Sequence, residues 1–166
     1  MVDQELESIA LEYAKLSGIR LNLKTPLGDG TDGAVWASDK KSAVKVLQRE
    51  RNYRIELECY QRFKANKITS IGGFAVPQLL GFNDDLWVIE LRVVTPFILD
   101  FAKAWIDVPP DYSAEKLDEW EREGEDNFGT KRWEKVKVLL WVLRDLGIYY
   151  YDAKPQNIRF RDDDVS

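Results

Sequence analysis

The 166-residue sequence has no histidine and a single cysteine, Cys59. Without histidine, mechanisms built on a Ser/His or Cys/His pair are excluded, as are imidazole metal ligands, so acid–base chemistry falls to carboxylates, lysines or tyrosines. One cysteine makes neither an intramolecular disulfide nor a zinc framework, which points to a reducing, cytoplasmic compartment. No apolar run approaches the ~20 residues of a membrane helix. The N-terminal stretch MVDQELESIA is acidic where a signal peptide is basic and then apolar, so the expectation is a protein inside the cell and off the membrane. A long basic run is also missing. With 24 Lys and Arg against 29 Asp and Glu, the net charge is −5 and mixed along the chain, which does not favour nucleic acid as partner.

What is present is enough apolar side chain for a core: 45% hydrophobic and 12% aromatic residues, in a length suited to one domain of two lobes. Leu6, Ile9, Ala10, Tyr13 and Leu16 recur at helical steps before Gly18, predicting an amphipathic helix over 4–17. The runs LNLKTPL, AVWAS and SAVKVL, separated by glycines and by Asp39-Lys40-Lys41, predict a three-strand antiparallel meander. A helix over 49–65 follows, then strands in PQLLGF and LWVIELRVV on either side of a turn at Asn83-Asp84-Asp85. The order β-β-β-α-β-β gives a five-stranded antiparallel sheet with one inserted helix. Residues 95–129 read as helical pieces joined by loops rather than as more sheet, and Trp133, Val136, Leu140, Leu143 and Leu146 mark a helix ending at Gly147. Trp120, Trp133 and Trp141 are expected to face the core of this C-terminal part.

Three stretches carry candidate chemistry. Gly28-Asp29-Gly30-Thr31-Asp32-Gly33-Ala34-Val35 has the form G-x-G-x-x-G-x-V, a string also found in dinucleotide-binding folds and in flexible hairpins. Strands on both sides favour a hairpin whose backbone lies over phosphates. Lys45 in Ala43-Val44-Lys45-Val46 shares a strand face with apolar neighbours, which is costly unless an anion receives it. Glu56 on the following helix is the named partner, with Glu58 the alternative. In Tyr151-Asp152-Ala153-Lys154-Pro155-Gln156-Asn157, the spacing lets a carboxylate face a hydroxyl while an amide oxygen turns to a metal ion, or it marks a polar turn before a short strand at 158–160.

Together the three motifs resemble a protein kinase-like chain: G-x-G-x-x-G-x-V for the glycine loop, AVKV for V-A-I-K, and YYDAKPQN for H-R-D-L-K-P-x-N. The resemblance covers nearly the whole chain and implies an α+β, bilobal protein kinase-like fold. Residues 1–91 would be an N-lobe with a five-stranded antiparallel sheet plus helix, and 92–166 a reduced, mainly helical C-lobe, within a single kinase-like domain. It implies ATP and Mg2+ as cofactors. Gly28, Gly30 and Gly33 would cover the phosphates, and Lys45, paired with Glu56, would position them. Leu27, Val35 and Ala43 would enclose adenine against the backbones of Glu90 and Arg92, with Ile89 as gatekeeper. Asp152 would be the catalytic base, Lys154 the γ-phosphate contact and Asn157 a magnesium ligand.

The departures decide how active such a chain is expected to be. Tyr150 and Tyr151 replace the family's His and Arg, nine residues follow Asn157, and no D-F-G segment occurs among them. Asp162, with Asp163 and Asp164, is the candidate to return a carboxylate to the metal, against the plainer reading of a solvated acidic tail. Two functions stay open: weak transfer of a phosphoryl group from MgATP to a protein hydroxyl, or a catalytically inactive, nucleotide-binding regulatory module acting through a protein partner.

Overall fold

The first helix begins where Asp3 accepts a hydrogen bond from the Glu5 N–H at 2.9 Å, and it ends at Gly18, whose φ of 67° turns the chain away. In the computed structural model, which describes residues 3–94, 101–156, 158 and 160, this helix is α1 (Gln4–Ser17). It is followed by β1 (Gly28–Gly30), β2 (Gly33–Ala37), β3 (Ser42–Leu47) and α2 (Glu50–Ala65). Next come a small hairpin of β4 (Ser70–Ile71) and β5 (Phe74–Ala75), then β6 (Leu79–Asn83) and β7 (Val88–Arg92). The rest is β8 (Trp105–Ile106), α3 (Ala114–Phe128), α4 (Thr130–Asp145) and β9 (Ile148–Tyr149).

The architecture is α+β. A five-stranded antiparallel sheet in the order β1-β2-β3-β7-β6 carries α2 between its third and fourth strands in sequence, consistent with a reduced, two-lobed kinase-like fold. Strand alternation divides the sheet's two faces. Val44, Val46, Trp36, Ala34 and Val88 pack beneath Leu6, Ala10 and Tyr13 of α1, so one face is roofed by the first helix. The opposite face belongs to a larger core in which Tyr60 and Phe63 of α2 meet Phe101 edge-on, and Phe101 in turn meets Tyr150. That continuous aromatic contact ties α2 to Phe101 and to the segment that follows β9.

Three expectations are corrected. LNLKTPL is not a strand. Leu21 makes an isolated bridge to Ser38 and the Leu27 N–H reaches the Val35 carbonyl, but Pro26 has no N–H to continue a ladder, and β1 forms inside the glycine cluster. Sheet also continues beyond residue 95, because Trp105–Ile106 pairs with Ile148–Tyr149, a pairing set by a partner far along the chain rather than by local pattern. Finally, Trp141 is 64% exposed while Trp133 is buried and Trp120 packs partly against the core. The inward stripe of α4 runs through Trp133, Val136, Leu139, Leu140 and Leu143, and one step of about 100° from Leu140 carries Trp141 off it.

Candidate functional site

On β3, alternation sends Ala43 and Lys45 to the face opposite Val44 and Val46, and the register Ala43↔Leu91 and Lys45↔Ile89 places β7 residues beside them. The Lys45 ammonium lies 2.9 Å from Glu56 Oε1 and 2.8 Å from Oε2, and Glu56 has 0% exposure. Glu58, two positions on, points elsewhere and accepts from Arg62 Nε at 2.9 Å, because residues i and i+2 of a helix face away from each other. A buried lysine is thus matched by a buried carboxylate on α2.

Lys45, with Ala43 and Leu91 beside it, borders a cavity of about 540 Å³ between the sheet and the segment 151–156. Of the sequence candidates, Leu27, Gly28, Gly30, Gly33, Val35, Ala43, Lys45, Arg92, Asp152 and Lys154 line it. The glycines differ in what they require. A side chain at Gly33, where φ is 151°, would run into the Val46 carbonyl oxygen, so β2 and β3 themselves demand glycine there. At Gly30 an added Cβ would meet nothing within 4 Å, and at Gly28 only Val35 at ordinary contact distance. Neither glycine is explained by packing within the chain.

Glu90, expected to present its backbone to adenine, is not among the residues that line the cavity. Glu90 sits in the middle of β7, paired to Val44 on one side and Gly81 on the other, and its side chain points to the α1 face. There it accepts from the Tyr13 hydroxyl at 2.8 Å and the Ser42 hydroxyl at 2.6 Å. Burial, with the Glu90 carboxylate adding to it, pushes the Tyr13 phenol up to about 12. The Arg92 N–H is also taken, by the Gln78 carbonyl at 2.9 Å. The cavity wall at this end is Leu91, Arg92 and Val93, while Ile89 is fully buried outside it. The register pairs Ala43 with Leu91, so Leu91 rather than Glu90 shares the cavity face with Ala43.

On the opposite wall, Asp152 Oδ1 lies 3.1 Å from the Lys154 ammonium. Tyr150, at the position of the family's histidine, is buried and donates its hydroxyl to the Asp152 carbonyl at 3.2 Å, while Trp120 Nε1 donates to the Tyr151 carbonyl at 3.1 Å. Two aromatic donors therefore hold the backbone on either side of the carboxylate. Asn157 and Asp162, the candidate metal ligands, lie outside the described residues, as do Asp163 and Asp164. Among the described residues no cluster of three or more carboxylate or cysteine side chains is placed to hold a metal ion.

Sequence reasoning missed Asp32 and Lys103. Asn52 donates to Asp32 Oδ1 at 3.0 Å, and the Lys103 ammonium stands 3.9 Å from both Asp32 Oδ2 and Asp152 Oδ2. A signal existed: in Phe101-Ala102-Lys103-Ala104 a lysine interrupts an apolar run, as Lys45 does. A second cavity of about 460 Å³ lies between α3, α4 and Tyr149–Tyr151, but there Lys137 and Glu121 close on each other at 2.8 Å instead of converging on a common space.

No family model matches this sequence, and neither does any curated protein. Among solved structures, the chain is similar to that of the streptomycin–ATP–APH(2″)-IIa ternary complex, an aminoglycoside phosphotransferase, at 15% identity and a TM-score of 0.38. The match covers 77% of this chain and 38% of the other, so the chain spans well under half of that neighbour's length.

Proposed function

We propose that the cleft binds an adenine nucleotide and transfers its terminal phosphoryl group to a protein hydroxyl, in a domain of two lobes divided near residue 91. The observation that carries this reading is the buried Lys45–Glu56 pair, whose lysine stands at one wall of a cavity whose other wall presents Asp152 and Lys154. A volume of about 540 Å³ falls in the size range of small-molecule sites. Leu27, Val35, Ala43 and Leu91 offer apolar surface for a base, and the unexplained Gly28 and Gly30 leave room for backbone amides to approach phosphate oxygens. The residues present therefore fit the nucleotide. Magnesium would fall to Asn157 and Asp162, outside the described residues.

When bound, MgATP supplies the phosphoryl group and the metal charge that stabilises its transfer. The chain's own residues orient and move protons. Glu56 fixes the Lys45 ammonium in one place, so its charge is pre-positioned before a ligand arrives. Asp152 is the carboxylate to take the proton of an acceptor hydroxyl, its backbone steadied by Tyr150. Lys154, beside it, offsets negative charge on the group in transit.

Nucleotide binding without transfer, in a regulatory module that acts through a protein partner, is the second reading. Its support is that Asp152 is held between Lys154 and Lys103. Thermal unfolding with MgATP and phosphate release by wild type and Asp152→Asn separate the readings. A ligand at a hundredfold excess over Kd stabilises the folded state by about 2.7 kcal/mol. Stabilisation with release that Asp152→Asn abolishes supports transfer, and stabilisation without release supports the regulatory module. No stabilisation by millimolar nucleotide refutes both.

A further inference from the structure

Phe101, Ala102 and Ala104 are buried, and the Ala104 N–H closes on the Phe101 carbonyl at 2.9 Å, so the backbone carrying Lys103 is fixed by its neighbours. Lys103 is the one polar side chain of that stretch, and it extends into the cleft with 51% of the side chain exposed. Its ammonium stands midway between roof and floor, 3.9 Å from Asp32 on the glycine turn and 3.9 Å from Asp152 across the cavity. That separation is too long for a hydrogen bond. Each carboxylate has a nearer partner, Asn52 at 3.0 Å for Asp32 and Lys154 at 3.1 Å for Asp152. Lys45 differs: its N–H groups are committed to Glu56 at 2.8 and 2.9 Å. Among the described lysines of the cleft, Lys103 is the one with no carboxylate inside hydrogen-bonding distance.

We propose that Lys103 is a phosphate-contacting residue of this cleft, receiving the polyphosphate of a nucleotide in the space between Asp32 and Asp152. It deepens the nucleotide-binding reading and rests on it. A polyphosphate entering here meets Asp29, Asp32 and Asp152, all lining the cavity, and like charges at short range oppose binding unless a cation lies between them. Lys103 occupies that place. In the ligand-free protein the same ammonium neutralises both walls and bridges the glycine turn to the segment that carries Asp152. None of the three motifs contains Lys103, and its role follows from position alone.

The test is calorimetric titration of wild type, Lys103→Met and Lys103→Arg with ATP, adenosine and inorganic tripolyphosphate. A hydrogen bond to a charged group is worth about tenfold or more in affinity. Lys103→Met is therefore expected to weaken ATP binding about tenfold or more while leaving adenosine binding unchanged, and Lys103→Arg to restore most of the loss. Equal ATP affinity in wild type and Lys103→Met overturns the proposal, and so does an equal loss for ATP and adenosine, which would mark a structural role. Wild type that binds neither ATP nor adenosine overturns the nucleotide reading. In that event, tripolyphosphate binding lost in Lys103→Met would keep the phosphate contact, and absence of tripolyphosphate binding would remove it.

Discussion

The Lys45–Glu56 pair gives the sharpest energetic prediction. Glu56 has 0% exposure, the Lys45 side chain 9%, and both carboxylate oxygens lie within 2.9 Å of one ammonium. At an effective dielectric of about 20, opposite charges at such a distance attract by about 6 kcal/mol, and much of that offsets the cost of taking both out of water. Removing one partner alone forfeits the attraction and keeps the other's desolvation. Lys45→Met and Glu56→Leu are each expected to destabilise the protein by about 3 kcal/mol or more, whereas the double variant removes both charges and returns to within about 1 kcal/mol of wild type. Urea denaturation followed by tryptophan fluorescence measures all four proteins, and a coupling energy of about 5 kcal/mol or more is the expected result. Additive losses, or a Lys45→Met cost below about 1 kcal/mol, would refute a buried pair. Nucleotide affinity measured on the stable double variant then separates the functional loss from the folding loss.

Gly33→Ala is expected to cost about 2 kcal/mol or more, because its Cβ meets the Val46 carbonyl, whereas Gly30→Ala has open space and should leave stability nearly unchanged while weakening ATP binding; chemical denaturation and titration read the two effects. The Tyr13 phenol, raised to about 12 from 10.0, binds its proton more tightly folded than unfolded, so its contribution is complete below pH 10.0 and is lost as pH rises through about 12; Tyr13→Phe should make the alkaline limb of a stability–pH curve less steep. Arg62 hydrogen-bonds Asp107 at 2.7 and 2.8 Å and holds its carboxyl below the usual 3.8, so this contribution is present above that pH and lost as pH falls through the lowered value; Asp107→Asn should flatten the acid limb of melting temperature against pH.

How far the site was legible depended on whether a residue's neighbours were local. Lys45 announced itself as a charge between valines on a strand, and Glu56 lay nearly two helix turns into the next element, so the pair followed from alternation and helical spacing. Glu90 could not be placed the same way. Its face depends on the register between β3 and β7, and the pairing of Ala43 with Leu91 turns it toward Tyr13 and Ser42. Tyr150 read as the loss of a supporting histidine, yet its hydroxyl reaches the Asp152 carbonyl by a contact that no motif encodes. Lys103 and Asp32 come from segments far apart in sequence and meet only across the cleft. The amphipathic pattern of α1 showed a helix with an apolar face, but not that the face covers the sheet opposite the cleft.

The central claim is that the phosphates of an adenine nucleotide lie between the glycine turn and the segment bearing Asp152. An ATP analogue carrying a reactive acyl phosphate acylates lysines adjacent to its phosphates, and peptide mass spectrometry identifies them. Modification concentrated on Lys45, Lys103 and Lys154, and suppressed by excess ATP, is the expected result. Labelling spread over surface lysines such as Lys64 and Lys131, unaffected by ATP, would contradict it.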